Sequence, residues 1–274
     1  MKKKRSAKRT TALWLGDLHL DRVGEQQRIR LFNLVSSTPS DCVVISGDIT
    51  IARHLEEHLR HLAKACAPRP VFFVPGNHDY HGSSIEDVES LLTELGTEVL
   101  NLHYLDGQHI IPLGGGVCLI GHRGWADGRS GYGQRTVVEC RDRHSIRDFR
   151  GLSHKQALQK MTDFGHESAR VIRSLLPLAL TRYRHVVIVT HVPPFPSAVR
   201  FNDKPCELTR LPHFANLSAG MAILGIAKAF PSRQITVMAG HSHSKFFSDI
   251  LPNLTVRVGQ ARTGRPGIFD RISY

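Results

Sequence analysis

The chain has 274 residues, 41% of them hydrophobic and 22% charged, which suits a protein with a real core in one large domain or two small ones. Its net charge of +12, from 36 Lys and Arg against 24 Asp and Glu, favours anionic partners such as nucleic acid or phosphate esters without selecting among them. No apolar run reaches the roughly 18 residues of a membrane helix, the basic start MKKKRSAKRT lacks the apolar stretch of a secretory signal, and five scattered cysteines without a CxxC pair exclude a disulfide framework and a zinc–thiolate site.

These features predict a cytoplasmic protein with no membrane segment. Six of the positive charges fall within the first nine residues. Residues 1–10 therefore read as a disordered basic tail and 11–274 as a single domain, with no repeat or linker inside it.

In chain order, the apolar run TALWLG (11–16) leads into Asp17-Leu18-His19. A helical pattern from about Glu25 to Ser36 follows, then DCVVISG (41–47) leads into Asp48. A second helix is expected over Ile51 to Ala65. After it PVFFVPG (70–76) runs into Asn77-His78-Asp79, and a third helix over Ser84 to Leu95. Short strands are expected around Val99, Ile110 and Val117 to Ile120. The Gly- and Arg-rich stretch 121–135 has neither period.

A long helix is expected over Ser153 to Thr181. HVVIVT (185–190) then leads into His191, and a helix near Ala219 to Ala229 precedes QITVMAG (234–240), which leads into His241-Ser242-His243. Strands around Phe246, Thr255 and Ile268 close the chain. Alternating apolar strands and helices predict an α/β fold with strands buried on both faces. Cys42 and Cys118 lie inside apolar runs and read as small core residues.

Five strands thus end in residues that bind metals: Asp17 and His19; Asp48; Asn77 and His78; His191; His241 and His243. The crevice beyond strand carboxyl ends is where open α/β sheets bind ligands. Carboxylate, imidazole and one amide oxygen without thiolate suit manganese, iron or zinc. In DLH and HSH the outer residues are two apart, so an extended backbone sends both to one side. These are more donors than one tetrahedral ion takes, which suggests two ions. Two carboxylates would leave such a pair near plus two, a charge that attracts a phosphate oxyanion and acidifies a bridging water.

Each residue also has a plainer reading. A lone His at a strand end is more often structural than a ligand, and Asp17 or Asp48 could cap a helix. Gly16, Gly47, Gly76 and Gly240 fit backbone geometry better than phosphate binding. His54, His58 and His61 share a helix face, which reads as solvated or half-buried before it reads as a metal site. The loop His122, Arg123, Trp125, Arg129, Tyr132 fits a substrate cleft and a plain surface loop equally. The basic tail could add non-specific nucleic-acid affinity, but a solvated extension is the favoured reading.

Taken together, GDLH, GD, GNHD, TH and GHSH, each in this order after an apolar strand, resemble the calcineurin-like metallophosphoesterase superfamily from about Trp14 to His243. The resemblance implies a two-sheet sandwich flanked by helices, with a dinuclear centre at the carboxyl edge of the strands. It implies that Asp17, His19 and His243 bind one ion, that Asn77, His191 and His241 bind the other, and that Asp48 bridges them. His78 would protonate the leaving oxygen, oriented by Asp79. Many relatives carry another acidic residue soon after the second motif, where this chain reads GDITIAR.

The reaction implied is phosphoester hydrolysis by attack of a metal-bridged hydroxide, with manganese the preferred metal. A small diester or cyclic nucleotide is the first substrate expectation. A phosphomonoesterase, protein phosphatase or nuclease of the same fold is the alternative, and a non-catalytic scaffold comes last because every ligand position is filled.

Overall fold

The structure, a computed structural model, describes residues 9–262 and 264–274. The expected tail falls mostly on residues 1–8, outside the described residues. Thr10, counted with that tail, belongs to the fold: its hydroxyl donates to the Leu113 carbonyl at 2.6 Å, and its carbonyl accepts from Tyr274 N–H at 3.0 Å.

The elements in order are β1 (Thr11–Leu15), α1 (Glu25–Ser37), β2 (Cys42–Ser46), α2 (Ala52–Cys66), β3 (Val71–Val74), α3 (Ile85–Glu98), β4 (Leu102–Tyr104), β5 (Ile111–Gly114) and β6 (Val117–Gly121). There follow a short α4 (Asp142–Ser145), α5 (His154–Arg182), β7 (His185–Val189), β8 (Arg200–Phe201), β9 (Lys204–Pro205), α6 (Leu217–Ala229), β10 (Gln234–Ala239), β11 (Phe246–Leu251), β12 (Leu254–Val258) and β13 (Ile268–Ser273). One sheet has the order β13-β1-β2-β3-β4 and the other β11-β12-β10-β7-β6-β5. Strands β8 and β9 pair separately as a small hairpin.

β1, β2, β3 and β4 run parallel to one another, as do β6, β7, β10 and β12. Every residue of β2, β3 and β6 is buried, because apolar layers cover both faces; this is why these strands read as unbroken apolar runs rather than alternating ones. Trp14, Val44, Phe72, Leu119, Val187 and Met238 fill the space between the sheets. Leu31, Leu59 and Leu92 pack one outer layer onto the first sheet, and Leu176, Leu180 and Ile223 pack another onto the second. The expected helix-flanked two-sheet α/β sandwich is the fold observed.

Helix α5 starts where its sequence dictates. Ser153 accepts from Gln156 N–H at 3.3 Å, and the Gln156 side chain accepts from Ser153 N–H at 2.8 Å, satisfying two otherwise orphaned donors. The strand expected around Val99 is displaced: α3 continues through Gly96 to Glu98, and β4 begins at Leu102. A helical glycine costs about 1 kcal/mol relative to alanine, but burial of Leu92 and Leu95 carries the helix past it. All five cysteines are free, with Cys42 and Cys118 in the core.

The stretch 121–135 is neither cleft lining nor surface loop over most of its length. Trp125 is 3% exposed and packs among Tyr80, Phe149 and Phe164. Arg123 is buried between Glu89 and Glu167, and Asp127 accepts from both the N–H and the hydroxyl of Ser218 at the start of α6. The segment ties α3, α5 and α6 together, with Tyr132 left exposed.

Candidate metal centre

The five predicted motifs meet at one edge of the sandwich. β1, β2 and β3 are neighbours in the first sheet, β7 and β10 in the second, so their carboxyl ends converge from both layers. Donor atoms of Asp17, His19, Asp48 and His243 lie within 4.8 Å of one another, and so do those of Asp48, His191 and His241. Asp48 belongs to both groups. Asn77 joins the second, with its Oδ1 3.1 Å from His191 Nε2. Among the described residues the α2 histidines form no such group: His58 is buried on the apolar face, and His61 is exposed.

The backbone achieves this by turning rather than by staying extended. Asp17, His19, Asp48, His241 and His243 all have positive φ, between 43° and 72°. DLH and HSH therefore present their outer residues through left-handed conformations, correcting the extended geometry expected from their spacing. Left-handed backbone costs non-glycine residues energy and clusters at functional sites. Hydrogen bonds hold the turns: Asp17 N–H donates to the Gly47 carbonyl at 2.9 Å, and His19 N–H to the Asp48 carbonyl at 3.0 Å. Gly76 is required by proximity, since a Cβ there would lie 2.2 Å from Asp48 Oδ1.

Hydrogen bonding fixes which atom of each ligand is free. His191 Nδ1 donates to the Ser46 carbonyl at 2.9 Å, leaving a bare lone pair on Nε2. The Asn77 amide donates to Asp142 Oδ1 at 2.9 Å, which turns its own carbonyl oxygen toward that lone pair. His191 Nε2 and Asn77 Oδ1 are thus two acceptors 3.1 Å apart with no proton between them. A cation resolves that conflict. His241 repeats the pattern, with Nε2 donating to the His213 carbonyl at 2.9 Å and Nδ1 left free. Anchoring the second ring nitrogen in this way is how proteins orient metal-bound imidazoles.

The electrostatics agree with this fit. Burial raises the Asp17 carboxyl well above its ordinary range, and the nearby Asp48 charge raises it further. Burial also pushes Asp48 up to about 7, against the N–H that His78 donates to it at 2.9 Å. Burial lowers His191, His241 and His243 to about 4, keeping them in the neutral form that ligates. Crowded buried carboxylates beside neutral imidazoles make a pocket that is stabilised by divalent charge. The Asp/His cluster with Asn77 fits a dinuclear divalent centre.

His78 sits at the mouth of this cluster, with Nε2 4.0 Å from Asp48 Oδ2. Asp79 is not its partner. Both Asp79 oxygens accept backbone N–H groups, from Thr50 and Gly76 at 2.8 Å each, so the carboxylate clamps the turn instead. His78 Nδ1 is held by Arg22 Nη2 at 3.0 Å. Asp142, which accepts from Asn77 and from His81 Nε2 at 2.8 Å, was equally unannounced in the sequence. Burial pushes the Asp142 carboxyl up, but the His81 and Asn77 hydrogen bonds outweigh it and hold it below its ordinary value.

A cleft of about 490 Å³ opens from Asp48, Asn77, His78 and the 241–243 turn. Residues 138–142, Phe201, Arg210, His213 and Phe214 line the rest of it, with His213 Nε2 donating to the Val138 carbonyl at 2.8 Å.

The sequence profile of the calcineurin-like phosphoesterase family matches residues 10–245. A Danio rerio protein described as a transmembrane protein with metallophosphoesterase domain is 33% identical over 95 residues, 32% of this chain and 21% of that one, so the chain spans a small part of that relative. Among the described residues no helix is long and apolar enough to cross a membrane. A Danio rerio dimetal phosphatase superposes over 96% of this chain and 91% of its own, with a TM-score of 0.58 at 15% identity. A Thermus thermophilus protein does so over 92% and 90%, with a TM-score of 0.55 at 12% identity. Those two likenesses concern the fold, while the profile match spans the five converging motifs, and on it the chain belongs to the calcineurin-like phosphoesterase family.

Proposed function

We propose that this protein is a dinuclear-metal phosphodiesterase acting on a small diester, with residues 11–274 working as one unit. The observation that carries the hydrolase reading is the pair of facing lone pairs on His191 Nε2 and Asn77 Oδ1, beside a carboxylate shared by both donor groups. Asp17, His19 and His243 would hold one ion, Asn77, His191 and His241 the other, and Asp48 would bridge. Manganese suits this mixture of carboxylate, imidazole and amide oxygen, ahead of iron or zinc. Bound there, two divalent ions supply Lewis-acid charge for the phosphoryl oxygens and lower the pKa of water.

The chain's own residues do the rest. His78 presents Nε2 beside Asp48, where a leaving oxygen would emerge from an in-line displacement. Asp48 and Asp142 hold the turn and the amide that shape the floor. The diester preference rests on the cleft, whose volume of about 490 Å³ leaves room for a substituent beyond the reacting phosphate. The test is to load purified protein with manganese, measure bound metal, and compare hydrolysis of bis(4-nitrophenyl) phosphate with that of 4-nitrophenyl phosphate. Two ions per chain and faster diester turnover are expected. A metal-free, inactive protein sinks the hydrolase reading, and faster monoester turnover sinks the diester preference.

A further inference from the structure

The outer cleft carries chemistry that phosphoryl transfer at the metal edge does not use. Phe214 stands against the metal edge, its ring centroid 4.8 Å from that of His241. Phe201, which lines the same cleft, is 45% exposed at the tip of the β8–β9 hairpin, where Asn202 and Asp203 adopt positive φ to make the turn. The Arg210 guanidinium lies over the Phe201 ring, 4.7 Å from its centroid. Residues 138–142 also line the cleft, with Val138 and Cys140 supplying apolar surface.

A half-exposed phenylalanine offers a ligand an apolar ring face and no hydrogen bond. A stacked guanidinium extends the flat surface and adds positive charge next to it. Two rings and a guanidinium thus line the cleft that opens from Asp48, Asn77 and His78, with the Phe214 ring beside His241. At about 490 Å³ the cleft is within the range that takes a small organic ligand.

Resting on the phosphoesterase reading above, we propose that this lining is a subsite for a planar ring carried by the substrate, a nucleobase or an aryl group, stacked on Phe201 and Phe214 with Arg210 beside it. The shared chemistry is a flat π-face attached to a phosphate ester. Stacking of one base on an aromatic side chain is worth about 1–3 kcal/mol, so a ring should raise affinity by roughly 5- to 150-fold, centred near 30-fold.

The test is calorimetric titration of the manganese-loaded protein with four probes: adenosine 5′-monophosphate, phenyl phosphate, ribose 5-phosphate and glycerol 3-phosphate. The ring-bearing probes are expected to bind at least about tenfold more tightly than the ringless pair. If both ring probes gain, the lining reads any flat ring; if only one does, it identifies the nucleobase or the aryl source. Phe201→Ala should collapse the preference to about twofold or less, and Phe201→Tyr should restore it. Metal content of each variant shows that the centre is intact. Equal binding of all four probes by the wild type, or a preference that survives Phe201→Ala, overturns the subsite while leaving the hydrolase reading in place. No binding of any probe overturns the subsite, and hydrolysis of bis(4-nitrophenyl) phosphate by the same preparation decides the hydrolase reading separately.

Discussion

Arg22 Nη2 donates to His78 Nδ1 at 3.0 Å. A guanidinium has donors and no acceptor, so Nδ1 must offer its lone pair and the ring proton resides on Nε2. That is the nitrogen 4.0 Å from Asp48 Oδ2 at the cleft mouth. The arginine comes from GDLHLDR, five residues after Asp17, and fixes the tautomer whose Nε2 proton the proposed acid role of His78 requires. The acidic residue that many relatives carry after GD is absent here, and Asp79 is fully engaged with backbone, so Arg22 is the side chain holding this ring nitrogen.

Arg22→Ala should therefore lower kcat by roughly 10–100-fold, the usual cost of removing a residue that orients a functional imidazole. KM and bound metal should change little, and Arg22→Lys should recover part of the loss. Nitrogen-15 chemical shifts of the His78 ring would register the tautomer directly. Unchanged kcat, or a variant that has lost its metals, contradicts this role.

Asp48 and His78 should separate cleanly by metal content. Asp48 contributes donor atoms to both ligand groups, so Asp48→Ala should lose both ions together with activity. His78→Ala should keep both ions while turnover drops by roughly 10²–10⁴, the range for losing proton donation to the leaving group. The loss should be smaller for esters with good leaving groups. Two ions retained in the Asp48 variant would remove its bridging role, and metal loss in the His78 variant would make His78 a ligand.

Asp142 gives a prediction confined to one half of the centre. Its Oδ1 holds the Asn77 amide at 2.9 Å and His81 at 2.8 Å. Without it, nothing forces the Asn77 carbonyl oxygen toward His191. Asp142→Ala should weaken the ion on the Asn77–His191–His241 side by roughly 10–100-fold and leave the ion on the Asp17–His19–His243 side nearly unchanged. A two-site manganese titration reads this difference. Equal weakening of both sites, or of neither, argues against it.

What the sequence revealed and what it concealed divide along a physical line. The apolar runs of β1, β2, β3, β7 and β10 are local signals, and each is followed at once by its metal-site residues, so the site floor was readable. Arg22, Asp142 and His81 act through contacts that reach across as many as 65 positions, with no period or motif to mark them. The cleft walls at 138–142 and 201–214 were invisible for the same reason. Trp125 misled in the other direction: surrounded by Gly, Arg and Asp, it looked exposed, yet three aromatic rings bury it. The spacing in DLH correctly paired Asp17 with His19, but HSH splits between the two donor groups, and the spacing could not disclose that left-handed turns present these residues.

Acid should destabilise the metal-free protein through histidines far from the centre as well as within it. His58 is 3% exposed on the apolar face of α2, and burial lowers it to about 4; Glu57 opposes this, while Arg28, His54 and His61 reinforce it. His185 bonds Thr236 at 2.9 Å and is lowered to about 4 by burial and then by Arg184. Both folded values lie below the ordinary 6.5, so between about pH 6.5 and 4 the unfolded chain binds more protons than the folded one. Stability is complete above that window and falls as pH drops through it. These two imidazoles should thus pull the melting temperature of metal-free protein down between pH 7 and pH 5, by roughly 2–4 °C for each kcal/mol lost in a chain of this size, while the raised Asp17 and Asp48 carboxyls pull it the other way. His58→Leu, which keeps an apolar side chain beside Leu55, Leu59 and Leu62, should weaken that downward pull. A His58→Leu variant whose melting temperature changes between pH 7 and 5 just as the wild type's does would show that burial of this imidazole does not contribute to the slope.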